Sequence, residues 1–273
     1  SSVGGQVGKF SVGQAVPRTE DPRLLQGRGQ YVDDIRLLGE CHAYMLRSPH
    51  AHARILGIDT FSAREMPGVI AIYTGVEWVA DGHGQHTIEI ARTSRDGSRQ
   101  FCPIRYAIEP HIVRVVGDIV AMVIAETVNQ GKDAAEKIIV QYEPLPVITD
   151  GNKARNKGAA ILHSDCPSNE SYYHQSGDKA AVEVVIASAA HVTRFQTKIN
   201  RITANTMEPR NCIGDYDARF GRYILYCATQ LPHMIRKTLA ADVFGVSETA
   251  VKIVSPDVGG SFGMKQGHAP ENH

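Results

Sequence analysis

The sequence predicts an α+β fold in two units, and three observations carry that expectation. Short β-branched runs mix with short helical patterns from about residue 16 to 150. A polar, Lys/Asn/Ser-rich stretch, 151–177, then interrupts the pattern. A second strand and helix pattern occupies 178–273, closing on a glycine-rich loop.

In the first unit, Cys41 to Leu46 has strand composition and stops at Ser48-Pro49. Ile55 to Asp59 reads as a second strand, and Thr60 to Met66 as a short helix with Thr60 at the N-cap. Pro67-Gly68 turns the chain into Val69–Tyr73, a compact buried strand. Gly75 to Glu109 reads as a polar excursion with little regular structure. Val113 to Val116 and Ile119 to Ala125 flank a Gly117-Asp118 turn, and Asn129 to Val140 shows helical spacing. Tyr142 to Pro146 is extended and proline-stiffened.

Gly151 to Gly177 is read as a linker crossing between the units. Val182 to Ile199 reads as long strands, Tyr223 to Ala228 as another, and Pro232 to Phe244 as a helix capped by Gly245. Val251 to Val254 delivers the loop Gly259-Gly260-Ser261-Phe262-Gly263-Met264-Lys265.

Composition narrows the function classes. Lys+Arg and Asp+Glu stand at 29 each, so zero net charge argues against nucleic acid or an anionic membrane as partner. No apolar run reaches the roughly 18–20 residues of a membrane helix. Ser1 to Gly13 reads as a flexible leader without a signal peptide's apolar core. Five scattered cysteines without a Cys-x-x-Cys pair suggest structural thiols and a reducing, cytoplasmic setting.

The glycine loop lacks the Gly-Lys-[Ser/Thr] ending of a phosphate-binding loop and the spacing of a dinucleotide fingerprint. By itself it is either a ligand cradle or a tight structural turn. Upstream, Gln230 sits at a strand end before a helix, where a neutral amide can donate to an oxo or carbonyl oxygen. The competing reading is a glutamine bonded to local backbone. Glu208 and Arg210, in Met207-Glu208-Pro209-Arg210, read as ion-pair or hydrogen-bond anchors. His50 and His52 lack a third ligand at metal spacing, and His83-x-x-His86 is weaker still.

Together these segments resemble the xanthine dehydrogenase/aldehyde oxidase family, in its carbon monoxide dehydrogenase large-subunit type. Ser48-Pro49-His50-Ala51-His52-Ala53-Arg54-Ile55, Val116-Gly117-Asp118-Ile119 and Tyr142-Glu143-Pro144 resemble its α/β hammerhead domain. Val12-Gly13 to Arg23 is similar to a typical start. Met207–Arg210, Thr229-Gln230 and Gly259–Lys265 resemble the opening of its molybdopterin-binding region. The implied domains are a hammerhead at 16–150 and an incomplete molybdopterin-binding portion at 178–273.

The resemblance implies a component or fragment of a molybdenum hydroxylase acting on an aldehyde, N-heterocycle or similar molecule with oxygen drawn from water. Gln230 matches the glutamine that hydrogen-bonds an oxo ligand of molybdenum. Phe262 and Gly263 match residues lying against metal and pterin, with Gly260 and Ser261 shaping the approach. No residue matches the family's general-base glutamate, and no catalytic or metal-ligating residue is assigned. The implied cofactor is a molybdopterin-type molybdenum cofactor, bound only when a partner completes the site and not by the isolated chain. The implied partners are a complementary molybdopterin subunit, a [2Fe–2S] subunit and an FAD subunit, with self-association also expected. The ending Gly267 to His273 is read as breaking off after a trace of the family's Pro-Glu. A split subunit, a truncated product and a repurposed non-catalytic binding module are the three readings of that ending.

Overall fold

The unbroken apolar run Ile119–Ala125 forms the strand around which the first unit is built. It is buried along almost its whole length because strands pair with it on both edges. The computed structural model describes residues 15–85 and 91–267. The leader at 1–13, His86 and the tail at 268–273 lie outside the described residues.

In chain order, the first unit comprises α1 (Asp21–Leu25), β1 (His42–Arg47), β2 (Ala53–Asp59), α2 (Phe61–Arg64), β3 (Val69–Thr74) and α3 (Gly75–Ala80). It continues with β4 (Ile112–Val113), β5 (Ile119–Ala125), α4 (Val128–Ala135) and β6 (Ile139–Pro144). One antiparallel sheet has the order β1-β5-β3 and a second the order β4-β2-β6. Ala134 and Ala135 of α4 and Ala63 of α2 pack on Ile72, Ala121 and Val123, small residues letting the helices approach the first sheet. Ala53, Val113 and Val120 fill a second core, with Leu46, Ile55 and Tyr142 packed around it. The molecule's architecture is mixed α and β, as the hydrophobic pattern predicts.

Several local expectations differ from the structure. The excursion at 75–109 opens with α3, capped reciprocally by Thr74 and Glu77, whose carboxylate accepts from Thr74 N at 2.7 Å. The helix expected over 129–140 ends at Ala135. Ile139 and Val140 are β-branched and join β6, which pairs with β2 as an edge strand, where Pro144 costs no internal ladder bond. Thr60 flanks α2 but does not cap it: its hydroxyl accepts from Arg64 Nε, and Asp59 takes the Phe61 N–H.

The second unit comprises α5 (Lys179–Ser188), β7 (Cys212–Asp217), β8 (Arg222–Cys227), α6 (Pro232–Thr238) and β9 (Val251–Val254). Strands β7 and β8 are antiparallel and β8 and β9 parallel, with α6 in the crossover. A π-helical turn, Leu239–Phe244, extends α6 until Gly245 ends it at φ 63°. Leu225, Cys227, Ile235, Leu239, Val243 and Val251 form the core of this unit.

The long strands expected over 182–199 are absent. Asp178 accepts the Ala181 N–H and starts α5 in an alanine-rich turn, and Lys179 pairs with Glu183 one turn on. Residues 189–211 contain neither helix nor strand. A strand is stable only against a ladder partner, and among the described residues none reaches this segment. Phe195, Ile199 and Ile202 stand almost fully exposed.

The stretch at 151–177 is mostly irregular, as read, yet it is pinned rather than loose. Arg95 N donates to Tyr173 O and Phe101 N to Ser171 O, while Asn169 Nδ2 ties Ala154 and Ala160 together. The two units also meet directly. Trp78 of α3 packs against the second core and donates to Gly84 O, and Gly84 N donates to Val243 O at 2.8 Å. A β-carbon at Gly84 would fall 1.7 Å from the Asp242 carbonyl oxygen, so only glycine permits this approach.

Candidate functional site

Parallel pairing of β8 with β9 brings the carboxyl ends of both strands to one edge, where open sheets display functional side chains. From β8 the chain runs through Ala228, buried Thr229 and exposed Gln230 into α6. From β9 it runs through 255–258 into the glycine loop. Lys265 O accepts from both Gln230 N, at 3.0 Å, and Thr229 Oγ1, at 3.2 Å. The loop's return is thereby stitched to the end of β8.

Within the loop, Lys265 N donates to Ser261 Oγ at 3.1 Å, and Ser261 Oγ donates to Gln230 Oε1 at 2.5 Å. Gly260 lies at φ 100°, Phe262 at 49° and Gly263 at 85°. Left-handed backbone is cheap for glycine but costs a bulky L-residue roughly 1–2 kcal/mol. Phe262 is held there with its ring 81% exposed, an arrangement that local packing alone does not explain. Among the described residues, the peptide N–H groups of Gly260, Ser261, Phe262 and Gly263 have no acceptor. Free peptide donors on a left-handed loop of this kind are suited to an anionic or oxygen-rich ligand.

A third strand of sequence holds the loop from behind. Glu208 N donates to Gly259 O, and Gly259 N to Glu208 Oε2 at 2.8 Å. The same oxygen meets Lys265 Nζ at 2.8 Å, with both side chains almost fully buried. Arg210 Nη2 donates to Met264 O. A β-carbon on Gly259 would lie 2.4 Å from Glu208 Cβ, so this glycine serves a close approach of two chain segments. Glu208 and Arg210 are thus anchors, as read from sequence, though each grips the glycine loop rather than the other. Glu208 Oε1 and both polar atoms of the Asn211 side chain are buried without a partner among the described residues.

The N-terminal segment clamps the loop's entry. Arg23 in α1 makes a two-pronged contact with Asp257, at 2.5 and 2.6 Å, and Gln30 N donates to the same carboxylate. The Arg23 contact, aided by the Gln30 N–H, holds the Asp257 carboxyl down to about 2. Cys227, behind the site, is pushed up to about 12 by burial and then by Cys212, in keeping with a structural thiol. Nothing local in the sequence pairs Arg23 with Asp257, because the two lie 234 residues apart. The Gly259–Lys265 run itself was the available signal.

The histidine pair is structural. Buried His52 donates from Nδ1 to Pro146 O at 2.7 Å, and the His50 ring lies 4.7 Å from Tyr142. Among the described residues there is no cluster of His, Cys, Asp or Glu fit to hold a metal ion. No helix among them is long and apolar enough to cross a membrane.

Two family models match in succession. Residues 26–146 match the aldehyde oxidase and xanthine dehydrogenase a/b hammerhead domain, and 162–273 the molybdopterin cofactor-binding domain. The chain belongs to the xanthine dehydrogenase/aldehyde oxidase family. It is 36% identical to the nicotine 6-hydroxylase large subunit of Paenarthrobacter nicotinovorans, over 95% of this chain and 31% of that one. It is 32% identical to the carbon monoxide dehydrogenase large chain of Afipia carboxidovorans, over 92% of this chain and 31% of the relative. The quinoline 2-oxidoreductase structure from Pseudomonas putida 86 superposes with a TM-score of 0.85 at 34% identity, over 97% of this chain and 33% of that chain. The chain therefore spans about a third of the length of the relatives it matches.

Proposed function

We propose that this chain supplies one wall of a molybdopterin site in a molybdenum hydroxylase, completed by polypeptide equivalent to the rest of its relatives' length. The observation that carries this reading is the clamped glycine loop, which sets four peptide N–H donors beside the amide of Gln230. Gln230, Gly260, Ser261, Phe262 and Gly263 are the residues assigned to the cofactor. They fit it: the loop has four peptide N–H groups without an acceptor among the described residues, its glycines leave the backbone bare, and the one carboxylate behind it, Glu208, is engaged by Gly259 N and Lys265.

When bound, the cofactor supplies the redox chemistry that places an oxygen from water on carbon. This chain's residues orient and hydrogen-bond. Gln230 Nε2 donates to an oxygen acceptor, the 260–263 peptides donate to others, and Phe262 gives an apolar face. Glu208, Lys265, Arg210 and Asp257 keep these groups in place. The hammerhead unit at 16–150 and the cofactor unit at 178–273 are proposed as the functional division. The names of the nicotine and quinoline relatives favour an N-heterocycle over an aldehyde as substrate. Electrons would leave through [2Fe–2S] and FAD subunits.

Purified chain, alone and co-expressed with candidate partner subunits, is assayed for molybdenum by mass spectrometry and for pterin by fluorescence. Metal and pterin are expected only in the complex. A complex with every candidate partner present and no molybdenum would sink the reading in favour of a non-catalytic binding module.

A further inference from the structure

We propose that Ser261 is a positioning residue that fixes which end of the Gln230 amide faces the ligand. This deepens the cofactor reading and rests on it.

The polarity of the contact follows from the atoms that face each other, Ser261 Oγ and Gln230 Oε1. A backbone N–H can only donate, so Lys265 N occupies one lone pair of the Ser261 oxygen. The serine proton is then directed outward, and Gln230 Oε1 stands 2.5 Å from the oxygen. A carbonyl oxygen can only accept, so the serine hydroxyl is the donor of this contact. The amide oxygen therefore faces the serine. An amide has one acceptor end and one donor end, so fixing the first aims the second. Nε2 has no acceptor among the described residues and is left to donate.

The backbone of Gln230 is fixed by the same element. Its N–H donates to Lys265 O, and the buried Thr229 hydroxyl donates there too. Lys265 thus sets Gln230 twice, through its own carbonyl and through the serine relay. Its ammonium is in turn buried against Glu208. A relay from Lys265 N–H through Ser261 to Gln230 makes the site select a ligand atom that accepts a hydrogen bond. A flipped amide would present its carbonyl oxygen and repel the same atom.

The preference of one neutral hydrogen bond is about three- to tenfold between the two orientations. The full chain is labelled with 15N-glutamine, and the Gln230 side-chain signal is assigned by its loss in Gln230→Ala. In the wild type its order parameter is expected near the rigid value of about 0.8, falling below about 0.6 in Ser261→Ala. Ser261→Thr keeps the hydroxyl and is expected to restore order. In the molybdenum-loaded complex, Ser261→Ala is expected to lower kcat about three- to tenfold at equal metal content. KM is expected to hold, and Ser261→Thr to recover the rate. An equally ordered Gln230 amide in folded Ser261→Ala, or an unchanged kcat at equal load, overturns the proposal. If no complex takes up molybdenum, the cofactor reading fails on its own and the side-chain measurement still decides the role of Ser261.

Discussion

Lys265 carries more of the site than any other side chain, although it is positioned to touch no ligand. Its ammonium is 1% exposed against the Glu208 carboxylate. Removing one member of such a pair strands a buried charge and costs about 3–5 kcal/mol. Lys265→Met is expected to lower the thermal midpoint, and the double variant with Glu208→Gln to recover part of the loss. A single variant as stable as the wild type would show that the pair is not buried in solution. Glu109 is a carboxyl whose setting opposes its charge. Burial, and then the neighbouring Asp118, push the Glu109 carboxyl up to about 7, against the pull of Arg114 and Arg105. Between about 4.5, its ordinary value, and about 7, the folded protein keeps a proton that the unfolded chain has released. Stability therefore falls as pH rises through that window. Glu109→Gln is expected to gain up to about 3 kcal/mol over wild type above pH 7, and nothing below about 4.5. Denaturant midpoints at the two pH values check it, and a parallel pH dependence of both proteins would count against it.

At the scale of elements, the sequence was most legible where periodicity and chain breakers agreed. The run Ile119–Ala125 and the helix from Pro232 to the left-handed Gly245 are read correctly because their apolar spacing and caps are local facts. The helix α3 has a local signal in Thr74-x-x-Glu77, but the polar stretch after it carries no periodicity and masks that signal. The β-branched residues of 182–186 pointed to a strand, but the Asp178 cap and its neighbouring alanines decided for helix. At the site, motif and spacing pointed to Gln230 and the glycine loop. They could not pair Lys265 with Glu208, because nothing in a sequence records which distant segments meet. The segment 189–205 has strand-like alternation and no ladder. Its amides are expected to exchange with deuterium within seconds while those of β5 stay protected. Strong protection across 189–205 in the isolated chain would contradict the structure.

On the scale of the whole molecule, the two halves differ in how fully they close. The first unit surrounds two cores between its sheets and helices. The second leaves Val184, Val185, Phe195, Ile199 and Ile202 exposed, all on the stretch leading to the site. Large apolar side chains left exposed in such number on one stretch are suited to contact with other polypeptide. The isolated chain is therefore expected to elute from size exclusion well above 29.8 kDa and to shift to a defined complex with its complement. A sharp monomer at every concentration would argue that these residues need no cover. Trp78 and Gly84 join the halves, so the hammerhead unit also buttresses the cofactor unit.

The bond between Arg23 and Asp257 spans 234 residues and has a consequence in time. A ribosome adding 5–20 residues per second releases the arginine roughly 10–50 s before its aspartate exists. The hammerhead has ample time to fold in that interval, since its strands and cores lie within one continuous stretch. The glycine loop cannot be latched until Asp257 and the residues after it have been made. Assembly of the site therefore follows folding of the hammerhead, and the latch reports that both halves have already found their shape.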